Sequence, residues 1–364
     1  MVGVSFVMSS VADDATVDAL LSFLRQYLGD RSLDYADAPR PLTGGLSSAE
    51  VFGFSLRSAP AAWAGPLVVR FLPTHGDPHQ AQLEHAVQNG VASQGFPAPR
   101  VLVGEHTGDV LGRRFLVMER VPGSPLFAGM TRTQMLWRGP RLWARLPEVL
   151  AQVALDLHAL DAAPVLNELE RQGLVATALG PDRWLRRTEA AISRWALDGL
   201  APGLEWTRQH APVPPAKPSV CHGVLGPGNF FGTDTTVTGV IDWTLAGLAH
   251  PAYELGFATA TIELAPVPVP RPARRPLGVA TRRLAQRFQG RYAQRRSIDH
   301  VLIDYYRALH CLDELTEVAG YRAAGACGQG AHYRVRPTWD LIADKAVAYF
   351  RDLTGVTLQI PTAL

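Results

Sequence analysis

One change of pattern constrains this chain more than any other feature. Short strand-like runs fill the first third, and helical periodicity takes over beyond about Leu126. Asp13 or Asp14 is placed to cap a first helix whose apolar residues Leu20, Leu21, Phe23, Leu24 and Leu28 recur at helical spacing, with Gly29 as its stop. Residues 41–56 (PLTGGLSSAEVFGFSL) read as a strand, a glycine turn and a second strand, and 67–72 (LVVRFL) as a compact β run. Residues 81–92 read as a helix, and 115–121 (FLVMERV) as a buried strand ended by Pro122-Gly123. Helices return at 146–160, 183–197, 297–318 and 338–353. Proline-rich stretches at 211–218 and 265–276 read as loops, and 229–243 as a hairpin following a short strand at 219–222. No internal repeat is evident. The pattern predicts an α+β architecture: a small β-rich N-lobe, residues 1–121, joined near Val121 to a larger, mainly helical C-lobe, residues 122–364.

The 364 residues are 47% hydrophobic and 19% charged, enough to build a large core and too few charges for a disordered chain. Net charge is +2, from 35 basic and 33 acidic residues. A dedicated nucleic-acid binder needs a larger basic surplus, so none is expected as a partner. Only Lys217 and Lys345 are lysines, so a reaction requiring a lysine has two candidates. Cys221, Cys311 and Cys327 lack CxxC spacing and leave an odd one over, which predicts neither a disulfide framework nor a zinc site, and a cytoplasmic setting. Residues 1–11 are apolar without a basic n-region, so no signal peptide is expected; no apolar run is long enough to cross a bilayer, so no membrane association is expected.

The densest chemical signal lies at 220–256, VCHGVLGPGNFFGTDTTVTGVIDWTLAGLAHPAYELG. It reads as a strand, a glycine-containing loop, a hairpin and an acidic turn. The loop offers Asn229 and the hairpin end offers Asp242. An amide oxygen and a carboxylate at adjacent strand ends suit a hard cation such as Mg²⁺ when phosphates supply further ligands. An Asn and an Asp in such places also serve as turn caps.

This segment resembles the aminoglycoside phosphotransferase and choline kinase family, relatives of the protein kinases. The family's H-G-D-x-x-x-x-N motif stands here as His222-Gly223-Val224-Leu225-Gly226-Pro227-Gly228-Asn229, and its I-D-W motif as Ile241-Asp242-Trp243. The family's D-P-x-x-D-L stands as His250-Pro251-Ala252-Tyr253-Glu254-Leu255, and Leu157-His158-Ala159-Leu160-Asp161 resembles its L-H-x-L-D stretch. The resemblance runs back to Thr43. Thr43-Gly44-Gly45-Leu46-Ser47-Ser48 looks like the phosphate-covering turn, where small residues let backbone N–H groups approach phosphates. Arg70 occupies the strand position of the kinase lysine, and Glu84 matches the helix acid that pairs with it; in isolation Glu84 reads as a solvated helix-face charge. Met118-Glu119-Arg120-Val121 matches the hinge whose backbone meets the adenine edge. The resemblance implies a two-lobed protein-kinase-like fold with Mg²⁺ and ATP or GTP in the cleft. Gly44, Gly45, Ser47, Arg70, Glu84, Glu119 and Val121 would then contact the nucleotide, and Asn229 and Asp242 the metal.

The sequence departs from the family at its catalytic base. Val224 replaces the Asp of H-G-D and cannot accept a proton, while Gly226 and His250 replace two further polar family residues. A positioned base contributes about 10²–10⁴-fold. His222 and His250 are the candidates for a substitute base. Cys221 ends a buried strand with no cation evident beside it and reads as a small core hydrophobe. Three functions follow: a small-molecule phosphotransferase with an altered catalytic loop, a pseudokinase-like binding or regulatory protein, or a kinase fold reused for other chemistry in natural-product biosynthesis. In the first, an acceptor already ionised at pH 7 would need no base. The ligand is expected to be a small molecule other than a polycation, because residues 126–210 hold ten Arg against nine Asp and Glu. Trp137, Trp143, Trp184, Trp195 and Trp206 in that segment read as core or as an apolar pocket lining, and Arg138, Arg141 and Arg145 as a solvated helix face or an anion clamp.

Overall fold

Alternation in the first third resolves into a five-stranded antiparallel sheet. The computed structural model describes residues 14–42, 50–73, 77–126, 132–232, 236–265, 267, 269–326 and 339–362. Helix α1 (Asp14–Leu28) ends as expected at Gly29, which takes a left-handed φ of 68°. The sheet strands are β1 (Asp34–Pro41), β2 (Glu50–Arg57), β3 (Leu67–Phe71), β4 (Val101–Glu105) and β5 (Phe115–Glu119), in the order β1-β2-β3-β5-β4. The first strand thus precedes Pro41 rather than following it, because the alternating segment from Asp34 pairs with β2. Residues 101–105 carry no strong turn signal and form a strand only by pairing with β5. One sheet face buries Phe52, Phe54, Val69, Phe71 and Val117 against Leu20 and Leu24 of α1.

Helix α2 (Gln80–Ala92) lies on the other face. Its Leu83, Ala86, Val87 and Val91 recur at helical spacing, but they join the core of the helical region rather than that of the sheet. They pack there with residues of α3 (Arg132–His158) and α4 (Ala163–Arg171), among them Leu146, Leu150, Val165 and Leu169. Periodicity placed the start of α3 near residue 146. The helix begins earlier and contains Pro140 and Pro147, whose missing N–H groups interrupt the sequence signal without ending the helix.

Helices α5 (Asp182–Trp195) and α6 (Ala201–Gln209) lead to β7 (Ser219–Cys221). β6 (Ser124–Pro125), β8 (Phe230–Gly232) and β9 (Val237–Val240) form a small antiparallel sheet, and β10 (Gly247–Ala249) pairs with β7. The hairpin expected over 229–243 is β8–β9. Helix α7 (Ala252–Leu264) is buried on nearly every side, so it shows no amphipathic period. The stretch 265–276 was expected to be a loop, yet α8 (Arg271–Ala293) starts inside it. Pro272 sits in its first turn, where a missing N–H is harmless. Helices α9 (His300–Ala326) and α10 (Trp339–Thr354) close the region. No single helix among the described residues is long and apolar enough to cross a membrane.

Helices α7 and α9 meet at Gly256. A Cβ there would stand 2.6 Å from the Tyr306 Cβ and 2.8 Å from the Ile303 carbonyl oxygen. Gly256→Ala should therefore lower stability by about 1–3 kcal/mol in denaturant titrations. Gly278→Ala, where a Cβ meets open space inside α8, should instead stabilise by up to about 1 kcal/mol.

Candidate functional site

Strand β3 sets the first side of the site. Its two-residue period buries Leu67, Val69 and Phe71 in the sheet core and turns Val68 and Arg70 to the other face. Arg70 forms an ion pair with Glu84 of α2, whose side chain is 1% exposed. The acid that in isolation reads as a solvated charge is therefore buried. Glu84 also accepts a hydrogen bond from Gln80 Nε2 at 2.9 Å, one helical turn away. The same amide nitrogen donates to the Thr244 carbonyl at 3.0 Å, tying α2 to the segment after Asp242. Arg70 Nη2 lies 4.0 Å from Asp242 Oδ1. Burial opposes the charge on Arg70, but Glu84 and Asp242 outweigh it and its pKa rises.

The β8–β9 hairpin brings the second side together. Phe230 stands opposite Val240, and the Ile241 N–H donates to the Asn229 carbonyl at 3.0 Å, so Asn229 and Asp242 occupy neighbouring strand ends. Asn229 Nδ2 donates to the Val224 carbonyl at 2.8 Å. Its Oδ1 has no partner among the described residues. Asp242 adopts a left-handed backbone at φ 67°, sparsely populated for a residue with a Cβ. Its Oδ1 accepts from Thr244 Oγ1 at 2.7 Å. Two hard oxygen donors, Asn229 Oδ1 and Asp242 Oδ2, are thus left for a cation, and this donor set fits Mg²⁺.

Between these sides stands Val224, partly exposed and without a proton-accepting side chain. His222 is fully buried. Its Nδ1 accepts the Val224 N–H at 3.2 Å, which assigns the proton to Nε2, 2.9 Å from the Ile241 carbonyl oxygen. Burial pulls its pKa down to about 4 despite Asp242, so the ring is neutral and both nitrogens are occupied. His250 accepts the Ala252 N–H on Nδ1 at 3.1 Å. Its pKa is lowered by burial, with Asp299 opposing and Arg296 assisting, which places it among the charges of the α8–α9 connection.

Glu254 was not singled out by sequence reasoning, though it stood within the H-P-x-x-E-L segment. It is fully buried on α7 and accepts the backbone N–H groups of His222 and Gly223, the latter at 3.1 Å. Gly223 itself has φ 82°, and a Cβ there would lie 2.3 Å from the Leu245 carbonyl oxygen. The loop carrying Val224 is therefore clamped from below. A lone carboxyl among the apolar residues of AYELGF was the available signal. Glu254, Cys221 and His158 place donor atoms within 4.8 Å of one another. Glu254 is taken up by the loop, His158 Nδ1 pairs with the Tyr292 hydroxyl at 2.8 Å, and burial raises the Cys221 thiol far above its usual pKa. Cys221 is thus a buried neutral thiol; Cys311 is buried too, and Cys327 lies outside the described residues.

At the connection, Glu119 N–H donates to the Arg100 carbonyl at 2.9 Å and Arg120 N–H to that of Pro66 at 2.9 Å. The Val121 N–H has no acceptor among the described residues. Gly239 of β9 passes so close that a Cβ would lie 2.6 Å from the Val121 Cβ. Gly44, Gly45 and Ser47 lie outside the described residues. Of the five tryptophans, Trp184 is buried, its Nε1 donating to the Tyr253 hydroxyl at 3.1 Å, and Trp195 and Trp206 pack partly buried against the α9–α10 core. Trp137 and Trp143 are exposed.

The five-stranded sheet over a mainly helical region is a kinase-like fold, and solved structures share that fold. The chain superposes on a thermostable mutant of the aminoglycoside phosphotransferase APH(4)-Ia in ternary complex with AMP-PNP and hygromycin B with a TM-score of 0.56, at 18% identity, covering 93% of this chain and 99% of that one. For aminoglycoside-3'-phosphotransferase of type VIII the TM-score is 0.51, at 22% identity, covering 82% and 99%. The sequence pattern of the phosphotransferase enzyme family matches residues 55–296, and the chain belongs to that family. Curated relatives include acyl-CoA dehydrogenase family member 11 of Gallus gallus, 28% identical over 192 residues, or 50% of this chain and 23% of that protein. The Homo sapiens protein of that name is 27% identical over 181 residues, 49% and 22% of the two chains. The matches thus span less than a quarter of these relatives.

Burial pushes the Glu254 pKa up from 4.5 to about 7, against the N–H groups it accepts from. Between those values the folded protein holds a proton that the unfolded chain releases. The resulting stabilisation is full below about pH 4.5 and is lost as pH rises through about 7, a swing of about 3 kcal/mol. Glu254→Gln keeps an oxygen acceptor and removes the proton, so it should flatten the stability profile over that window in denaturation series run across it.

Proposed function

We propose that this protein binds a Mg²⁺-nucleotide between Arg70 and the Asn229–Asp242 hairpin, and that it transfers phosphoryl groups only to small-molecule acceptors that arrive already ionised. The carrying observation is an assembled Arg70–Glu84–Asp242 network around a loop that presents Val224. Arg70 stays charged and directs a guanidinium toward phosphate oxygens, with Glu84 and Gln80 fixing its position. Asn229 and Asp242 would hold the metal, which when bound supplies charge neutralisation for the phosphates. The Val121 N–H is left for the nucleotide base edge. Membership in the phosphotransferase enzyme family and the nucleotide complex of a fold neighbour support this use of the cleft.

The missing base limits the acceptor. A hydroxyl must lose its proton during transfer, and no side chain at 224 can take it. A carboxylate or phosphate brings a lone pair and no proton. Most catalysis of phosphoryl transfer comes from positioning and electrostatics, which this site retains. The name of the curated relatives points to acyl-CoA chemistry, but it belongs to proteins that this chain matches over less than a quarter of their length. A second reading, a pseudokinase-like binding protein, is favoured by one observation: both nitrogens of His222 are engaged and His250 is paired to the Ala252 N–H.

Calorimetric titration with ATP and GTP, with and without Mg²⁺, tests the cleft. Metal-dependent binding should appear in the wild type and be lost in Asp242→Ala. Absence of nucleotide binding by a folded wild-type protein overturns the proposal. Val224→Asp then tests the loop. It should raise transfer to hydroxyl acceptors, or to water, by about 10²–10⁴-fold, while transfer to carboxylate acceptors changes little. Turnover by the wild type on carboxylates, measured as nucleotide consumption, separates the enzyme from the binding protein.

A further inference from the structure

Helix α8 carries seven arginines, at 271, 274, 275, 282, 283, 287 and 291, and no acidic residue. The whole chain has a net charge of only +2, so this charge is concentrated rather than general. Arg283, Arg287 and Arg291 recur every fourth residue and share one face. That face borders α3 across two adjoining cavities. The larger, about 460 Å³, is lined by Ala144, Pro147, Glu148, Arg287 and Arg291. The smaller, about 210 Å³, is lined by Trp143, Pro147, Arg283 and Arg287. Pro147 and Arg287 border both, so the two form one groove.

The charge in this groove is only partly answered. Arg291 Nε meets Glu148 Oε2 at 3.1 Å. Among the described residues, neither Arg283 nor Arg287 has a carboxylate within ion-pairing distance. Two unneutralised guanidinium groups one helical turn apart repel each other unless an anion lies between them. Guanidinium forks match phosphate oxygens in bidentate fashion. Trp143, 39% exposed, offers an indole at one end of the groove. The cavity volume falls in the range of small-molecule sites, roughly 300–1,000 Å³. None of the lining residues belongs to the Arg70–Asp242 cleft.

We propose that the α3–α8 groove is a second binding site, distinct from the cleft, for a small phosphate-bearing anion held by Arg283 and Arg287. The same chemistry is presented by an inorganic phosphate chain and by a phosphate ester with an aromatic ring; Trp143 gives the ester a further contact. The site needs no metal and no nucleotide in the cleft.

The test is calorimetric titration of the full chain with inorganic tripolyphosphate at low ionic strength, without Mg²⁺. One saturable site is expected. Arg287→Glu and Arg283→Glu should each weaken it roughly ten- to a hundredfold, the effect of losing a charge-assisted contact. Arg275→Glu removes the same charge from α8 outside the groove and should change affinity less than about threefold, as a remote exposed charge does. Arg70→Ala should leave tripolyphosphate binding in place. All three α8 arginines are exposed, so folding should survive, and Arg287→Gln provides a milder variant if one does not express. Titration with AMP, with and without Trp143→Ala, separates the two sources: an ester site loses affinity in the variant, and an inorganic site is indifferent. Absence of saturable binding, equal weakening by Arg275→Glu, or loss in Arg70→Ala overturns the proposal.

Discussion

The buried pairing of Arg70 with Glu84 is the constraint on which the candidate site depends. Removing either partner would strand a charge in a place with little water, at a cost of about 3–5 kcal/mol. The pair therefore specifies which face of β3 meets which face of α2. Gln80 extends that specification by bonding both Glu84 and the Thr244 carbonyl. A single strand, a single helix and the acidic turn are thereby held in one arrangement, and Arg70 is brought within 4.0 Å of Asp242. Phosphate recognition in such a cleft rests on a cation whose position does not need to be organised at the moment of reaction.

The loop that carries Val224 is held by a different kind of contact. Glu254 satisfies two of its backbone N–H groups from the core side, and Gly223 lets the chain approach Leu245 where no side chain would fit. His222 braces the loop against Ile241 through one ring nitrogen and supports Val224 through the other. These interactions maintain the shape of the loop independently of the side chain at 224. Loop geometry and side-chain chemistry are separable here: the bonds that shape the loop come from Glu254, His222 and the backbone, and none of them uses the Val224 side chain.

Much of this was legible in the sequence, and the exceptions have physical causes. The Asn229–Asp242 spacing, the Arg70 strand and the β8–β9 hairpin could be read directly, because turn residues and alternation are local signals. Glu84 could not be assigned from its own surroundings, since its burial depends on Arg70, fourteen residues earlier on a strand. Helix α7 escaped because burial on nearly every side erases the periodicity by which helices are recognised. Strand β4 owes its form to pairing with β5, and the start of α8 was masked by prolines that a helix tolerates in its first turns. Glu254 was visible as a carboxyl in an apolar run, but only the fold shows that it faces the loop at 222–223.

Helix α2 has a consequence for how the molecule can move. Its apolar stripe is sealed into the helical region through Val165 and Leu169, and a Cβ at Gly90 would stand 2.6 Å from the Val165 Cα. The sheet meets α2 through Ala81, which is buried with Leu72, Val101, Leu116 and Met118, through the Asn89 side chain bonded to the Val101 backbone, and through the Arg70–Glu84 pair. Any displacement of the sheet relative to α2 would have to separate Arg70 from Glu84 and part the Ala81 contacts together.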